Sequence, residues 1–408
     1  MGTPLHTGFG QTYPDLHSAF NVIAYTAGGY DVILHADAPG VPTVFYTDQE
    51  HISGAPNCTV SAAAGDEDLI TIRPKARNHH GLFWIESTSG WTFNDLIFDD
   101  PAGTTGTITS YAQLIAFNRV INTIFNRCKF YPNGTTSAGY AIEALRLYSP
   151  ATYSIYFMDC EFEGVTGNEV TIYYTGSSAY FGNCTFNRFT HIFPLRTFDI
   201  TIDKCKVTNC SGQMFKEMSA GSCMRDSILS GGTTVAEVTA NLTKGFNNNT
   251  FHDMSGDAIL ITGNYTIPEI KNNTFSSITG TAIKCTGASA SPAPDYNHFH
   301  ACGTDSSGLN NAPTNSVAGD PLFTDAAAED FTFSGASPLR DAGTDLSGAI
   351  VAVTDDIEST ARPQPAGGSY DIGAYEIASF GWAAGTINAG NGIINGLPLA
   401  NVGTVNGL

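Results

Sequence analysis

Short apolar strings recur along the chain with one internal shape. A large apolar residue opens each string, two mostly polar residues follow, then a small residue, one more polar residue and a second large apolar one. The strings are FNRCKF at 125–130, FMDCEF at 157–162, FGNCTF at 181–186, IDKCKV at 202–207, CMRDSI at 223–228, FNNNTF at 246–251 and IKNNTF at 270–275. Looser versions stand at 93–98 (FNDLIF) and 294–299 (PDYNHF). Their last residues are 32, 32, 24, 21, 21, 23, 24 and 24 residues apart. A period in the low twenties, with two longer inserts, predicts a solenoid whose turns are made of short strands. A second motif follows in several turns: GNEV at 167–170, GQMF at 212–215, GDAI at 256–259 and GTAI at 280–283, with GYAI at 139–142 further out. Each turn therefore holds at least two strands separated by Gly- and Ser-bearing bends.

Strand alternation assigns the faces. The fourth and sixth residues of a string lie two apart and share a face, and the sixth is large and apolar, so that face is interior. Cys128, Cys160, Cys184 and Cys205 are then expected in one buried column, continued by Asn249, Asn273 and Asn297. A rung spacing of ~4.8 Å holds such thiols side by side without a bond, so they are expected reduced. Stacked amides can bond to one another up the column. The flanking outward pairs read Arg127 and Lys129, Asp159 and Glu161, Asn183 and Thr185, Lys204 and Lys206, Arg225 and Ser227, Asn248 and Thr250, Asn272 and Thr274.

The two ends differ from the middle. Residues 11–26 carry Leu16, Phe20, Ile23 and Ala24 at helical spacing, predicting a helix that caps the open solenoid within an N-terminal unit, 1–29. YDVILHA at 30–36 is the first strand candidate, and the coil is expected to run over 30–319. Over 320–380 the repeat gives way to DPLF, SPLRDAG, ARP and YDIGAYE. These strings resemble the closing segment of bacterial and phage right-handed β-helix proteins of the pectate-lyase-like superfamily. The resemblance implies an all-β fold: a right-handed, single-stranded parallel β-helix with a capping helix and an extended tail. Asp341, Asp355, Asp371 and Arg362 are expected to form a polar network in the closing turns. Residues 381–408 carry no charge, and INGL at 394–397 returns as VNGL at 405–408. This is similar to short Ile/Val-Asn-Gly repeats at the ends of tailed-phage virion proteins. It makes Trp382, Ile394, Leu397, Leu399, Val402, Val405 and Leu408 the candidate assembly residues of an extended arm.

Composition narrows the partners. Charged residues make up 14% and the formal charge is −20, which excludes nucleic acid as a partner. The basic residues all fall between Arg73 and Arg362. No run of 18 apolar residues predicts a membrane span, and no secretory leader is expected, which places folding in a cytosol where the nine Cys stay reduced.

Asp159, Glu161 and Glu163 are the candidate catalytic carboxylates, since glycoside cleavage on such a coil needs acidic residues on the outer face. Lys204, Lys206 and Arg225 lack an acidic neighbour in their column and are the candidate binding patch for an anionic glycan or an acidic surface. His298 and His300 share an outward face, with His252 in the column of His300, but no ligand set accompanies them, so neither a metal nor a cofactor is expected. The leading functional expectation is a non-enzymatic phage virion protein, a capsid decoration, spike or tail-fibre component. It would assemble in the host cytoplasm beside other virion proteins, as a homotrimer by analogy, with host surface glycan as a candidate contact. A polysaccharide-degrading lyase or hydrolase is the alternative, and a secreted bacterial adhesin or carbohydrate-binding solenoid the second.

Overall fold

In the computed structural model, three parallel ladders wind around one core. The described residues run from 3 to 377, apart from 9–10, 12–14, 17, 20–29, 48–49, 54–56, 75–82, 87–89, 101–112, 119–121, 133–142, 149–153, 165–177, 190–191, 193–198, 290–293 and 365. Beyond 377 only Ile393–Ile394 and Leu397–Pro398 are described, as a small antiparallel pair separate from the long sheets. The first sheet has eleven strands, from Thr3–Thr7 to Ile270–Lys271. The second has twelve, from Thr43–Thr47 to Val317–Ala318. The third side is a four-stranded block that includes Glu50–Ser53 and Glu143–Tyr148, then a five-stranded block from Gln213–Met218 to Thr304–Leu309. The chain visits the three sides in turn, so each strand of the ladders pairs with its equivalent one rung away.

The first sheet begins at Thr3–Thr7, which pairs with Tyr30–Leu34, ahead of the strand expected at 30–36. The expected capping helix falls mostly on residues outside the described set. Within it, Asp15 Oδ1 accepts from the Ser18 amide at 2.7 Å and from its hydroxyl at 2.6 Å, and Leu16 and Ala19 are buried in the core.

The apolar positions of the strings stack as the alternation requires. Phe93, Phe125, Phe157 and Phe181 lie 4.7–5.0 Å apart between ring centroids, and Phe98, Phe130, Phe162 and Phe186 4.7–5.2 Å. The two ladders meet edge to face, as Phe125 does with Phe130. Between them the first sheet turns into the second through one residue with positive φ and one interior residue. The positive-φ column is Asp95, Arg127, Asp159, Asn183, Lys204, Asp226, Asn248, Asn272 and Tyr296, all with φ of 47–59°. Asn and Asp enter this region most readily, which is why they dominate the column.

The interior column beside it is built as expected. Cys128, Cys160, Cys184 and Cys205 are buried and free, and burial raises the thiols of Cys128 and Cys184 well above their ordinary value. The amide ladder forms too: Asn249 Nδ2 donates to Asn273 Oδ1, and Asn273 Nδ2 to Asn297 Oδ1, each at 3.0 Å. Sulfur and amide do one job. Cys160 Sγ donates to the carbonyl of Phe125, Cys184 Sγ to that of Phe157, and Asn273 Nδ2 to that of Phe246, always one rung back.

One rung departs from the expected register. The strings place Ile228 opposite Val207, but the ladder pairs Val207 with Leu229 and Leu229 with Phe251, giving two spacings of 22 residues. Asp226 therefore stands in the positive-φ column, and Ser227 is interior, taking the Cys205 amide on its hydroxyl at 3.0 Å. Arg225 is opposite Asp203, not Lys204.

Residues 320–377 lie against the outside of the corner. A hairpin pairs Phe323–Asp325 with Asp330–Phe333, and irregular backbone follows. Asn248 donates to the carbonyls of Asp371 and Gly373, and Asn272 Nδ2 to that of Thr344. Asn248, Thr250, Asn272 and Thr274 face outward from the coil yet are fully covered by this segment. Gly373 has φ +99°, and a Cβ there would sit 3.0 Å from the hydroxyls of both Thr250 and Thr274.

Candidate functional site

Beneath the closing segment sits a buried polar cluster. Arg362 donates through Nη1 to Glu376 Oε2 at 3.0 Å and to the Asp371 carbonyl at 3.1 Å, and through Nη2 to the Gly373 carbonyl at 2.8 Å. Asp226 lies 3.5 Å from the same guanidinium. Asp371 takes the Asp341 amide on Oδ1 and the Ile377 amide on Oδ2. The expected network is thus present around Arg362 and Asp371. Glu376, Asp226 and Asp356 complete it; Asp341 enters by its backbone, and Asp355 stands outside it. Burial drives the carboxyls upward: Asp226 well above the usual range, Asp371 above it, and Glu376 to about 7.

The three candidate carboxylates do not converge. Asp159 accepts from Asn183 Nδ2 at 2.6 Å, Glu161 from the Tyr131 hydroxyl at 3.2 Å, and Glu163 from Asn187 Nδ2 at 2.8 Å while pairing with Arg188. The neighbouring cations on the preceding rung hold other acids: Arg127 pairs with Asp95, and Lys129 with Asp68 at 2.9 Å.

The expectation that Lys204, Lys206 and Arg225 lack acidic neighbours is corrected. Lys204 pairs with Asp355 at 2.8 Å, Lys206 with Glu329 at 3.5 Å, and Arg225 grips Asp203 with Nε at 2.9 Å and Nη2 at 2.6 Å. Two of these acids come from the closing segment, more than 100 residues downstream. The third is a cross-strand neighbour that the register slip conceals.

Asp159, Lys204 and Arg225 nevertheless share one groove of about 350 Å³, which Glu161, Glu163 and Lys206 do not line. The other walls are Tyr180, Asn183 and Asp203 from the coil, and Asp355 and Ser359 from the closing segment. Tyr180 donates to Asp203 Oδ2 at 2.5 Å. Burial and this bond both push the phenol upward, so it stays protonated. Desolvation works against the Arg225 charge, but the bonded Asp203 carboxylate more than offsets it and the guanidinium is raised. Tyr180 and Asp203 went unread in the sequence and Asn183 was read only as an outward position, although Tyr156 and Tyr180 both stand just ahead of an opening Phe, where a strand points outward.

His298 is buried, with Nε2 2.8 Å from the Gly319 carbonyl, and burial pulls it down to about 4. Among the described residues no group of three or more His, Cys, Asp or Glu side chains is placed to hold a metal ion.

The comparisons fit the coil. The family described as right handed beta helix region matches residues 115–302. With the three parallel ladders, this makes the chain a right-handed parallel β-helix. Among solved structures it is similar to the pectin methylesterase from Aspergillus niger in deglycosylated form, at 13% identity and a TM-score of 0.38, over 76% of this chain and 87% of that one. It is also similar to pectate lyase Pel9A, at 13% identity and a TM-score of 0.45, over 92% of this chain and 97% of that one. No curated protein matches the chain.

Proposed function

We propose that this chain is a non-enzymatic structural protein of a phage particle, a rigid coil docked to its neighbours through the uncharged arm 381–408. The carrying observation is the state of the groove. Asp203 is held by Arg225 and Tyr180, Asp159 by Asn183, and Asp355 by Lys204. A carboxylate that must take or give a proton needs an uncommitted oxygen facing substrate; Asp203 has both oxygens taken by the protein's own donors, while Asp159 and Asp355 each give one oxygen to such a donor. The arm adds the assembly half of the reading. Of its candidate residues, Trp382, Leu399, Val402, Val405 and Leu408 lie outside the described set, and Ile394 is paired with Leu397. A neutral, apolar, Gly-rich segment on an otherwise acidic chain is suited to add strands to a neighbouring subunit.

The test has two parts. The full chain is incubated with pectic and capsular polysaccharides, and reducing ends and unsaturated products are followed; no turnover is expected. Deleting 381–408 is expected to leave a folded coil that no longer joins the particle. Turnover that Asp203→Asn abolishes would establish the polysaccharide-cleaving alternative, and normal assembly of the deletion would end the docking role.

A further inference from the structure

We propose that the groove between Tyr180 and Lys204 is a subsite for a neutral sugar residue of a glycan chain. This deepens the non-enzymatic reading, on which it rests, by naming what the groove holds without cleaving.

The floor is shaped for a ring. Gly182 lies at the base, where a Cβ would stand 2.7 Å from Tyr180 Cε1 and 3.0 Å from Met158 Cε. A side chain there would push the tyrosine ring out of place, and glycine leaves it seated. One rung away Tyr156 lies 6.2 Å from Tyr180 between ring centroids, tilted by 43°, and is 39% exposed. Tyr156 lies outside the groove's lining, one rung along the coil axis from Tyr180, the direction a chain of sugars would run. A pyranose offers one apolar C–H face and a rim of hydroxyls. Tyrosine suits the first, having an apolar body and a polar tip. Asn183, Asp159 and Ser359 line the groove as donors and acceptors for the second. A concave site with aromatic surface and a few placed polar groups is the usual form of a small-ligand site.

Charge decides the class of sugar. Three carboxylates, Asp159, Asp203 and Asp355, face two cations, Lys204 and Arg225, and both cations are engaged in ion pairs. A uronate would meet a net negative wall and would have to displace Asp355 or Asp203 to reach a cation. A neutral sugar needs neither, and can share hydrogen bonds with pairs already formed.

Saturation-transfer NMR and calorimetry on the full chain test this. The probes are neutral tetrasaccharides of gluco, galacto, manno and rhamno configuration, with tetragalacturonate as the anionic counter-probe. At least one neutral probe is expected to bind and tetragalacturonate is not. Tyr156→Ala is expected to weaken the bound probe about tenfold, and Asn183→Gly, which keeps the positive-φ corner, several-fold. Neither should move the melting temperature, since both side chains are exposed. Failure of every neutral probe, tighter binding of tetragalacturonate, or full affinity in Tyr156→Ala overturns the subsite. Binding without cleavage supports both readings. Binding with cleavage overturns only the non-enzymatic one, and absence of binding and cleavage overturns only the subsite.

Discussion

Arg362 and Glu376 form an ion pair in which neither side chain touches solvent, 3.0 Å apart, at the point where the closing segment meets the coil. Replacing Arg362 with Met removes the guanidinium that pairs with Glu376 and lies 3.5 Å from Asp226. Stranding buried carboxylates in this way costs ~3–5 kcal/mol. Urea unfolding followed by tryptophan fluorescence should show that loss, whereas Glu376→Gln, which keeps hydrogen-bonding capacity, should cost much less.

The same cluster makes stability depend on pH. Burial raises Glu376 to about 7, and Asp226 and Asp371 move in the same direction. Their folded pKa values exceed the unfolded ones, so the folded state binds protons more tightly. That contribution is complete below the unfolded carboxyl pKa and is lost as pH rises through about 7 for Glu376. The melting temperature should therefore be higher at mildly acidic pH than at mildly alkaline pH, by a few degrees. Relief of the chain's negative charge acts in the same direction. Glu376→Gln separates the two, because it should flatten the slope without removing the charge effect.

Asn273→Ala tests the interior ladder. The Asn273 side chain takes two donors from Asn249 and gives to Phe246 and Asn297, all buried. The alanine leaves at least two buried groups unpaired, at a cost of ~2–5 kcal/mol. Chemical denaturation measures it, and a loss below about 1 kcal/mol would mean that water replaces the amide.

Lys204, Lys206 and Arg225 give a sharper contrast. As an exposed patch, their joint replacement by Ser would hardly change the melting temperature. The ion pairs to Asp355, Glu329 and Asp203 predict a clear drop. Arg225 should dominate, since Asp203 is only 6% exposed and loses its two-pronged partner. Calorimetric melting of the single and triple variants decides it.

What could be read in advance was whatever repeats. Phe130, Phe162 and Phe186 carry the alternation on their own, and Cys128 to Cys205 follow from it, so the coil, its interior column and the reduced thiols were legible. The turn at 223–229 was not, because Ile228 and Leu229 are both apolar and either could end the string. Asp226 was the available signal: aligned on the Asn and Asp residues of the corner, the rung falls into register. The groove was hidden for another reason. Its walls Asp355 and Ser359 come from a segment without period, and no spacing rule connects them to Lys204. The motif DIGAYE showed its polarity but not its role. Its Asp371 and Gly373 carbonyls receive Asn248, and its Glu376 balances Arg362.

The closing segment has a consequence for how the coil comes apart. A solenoid rung touches only its two neighbours, so the stack can open one layer at a time. Residues 319–377 cross that direction. They bond to Lys204, Arg225, Asn248, Asn272 and His298 on successive rungs through Asp355, Ala352, Gly373, Thr344 and Gly319. Like a splint along a stack of plates, the segment makes these five layers yield together. Amide exchange should report one cooperative block from about Lys204 to His298, opening only with loss of the splint, and a graded, layer-by-layer opening towards Thr3.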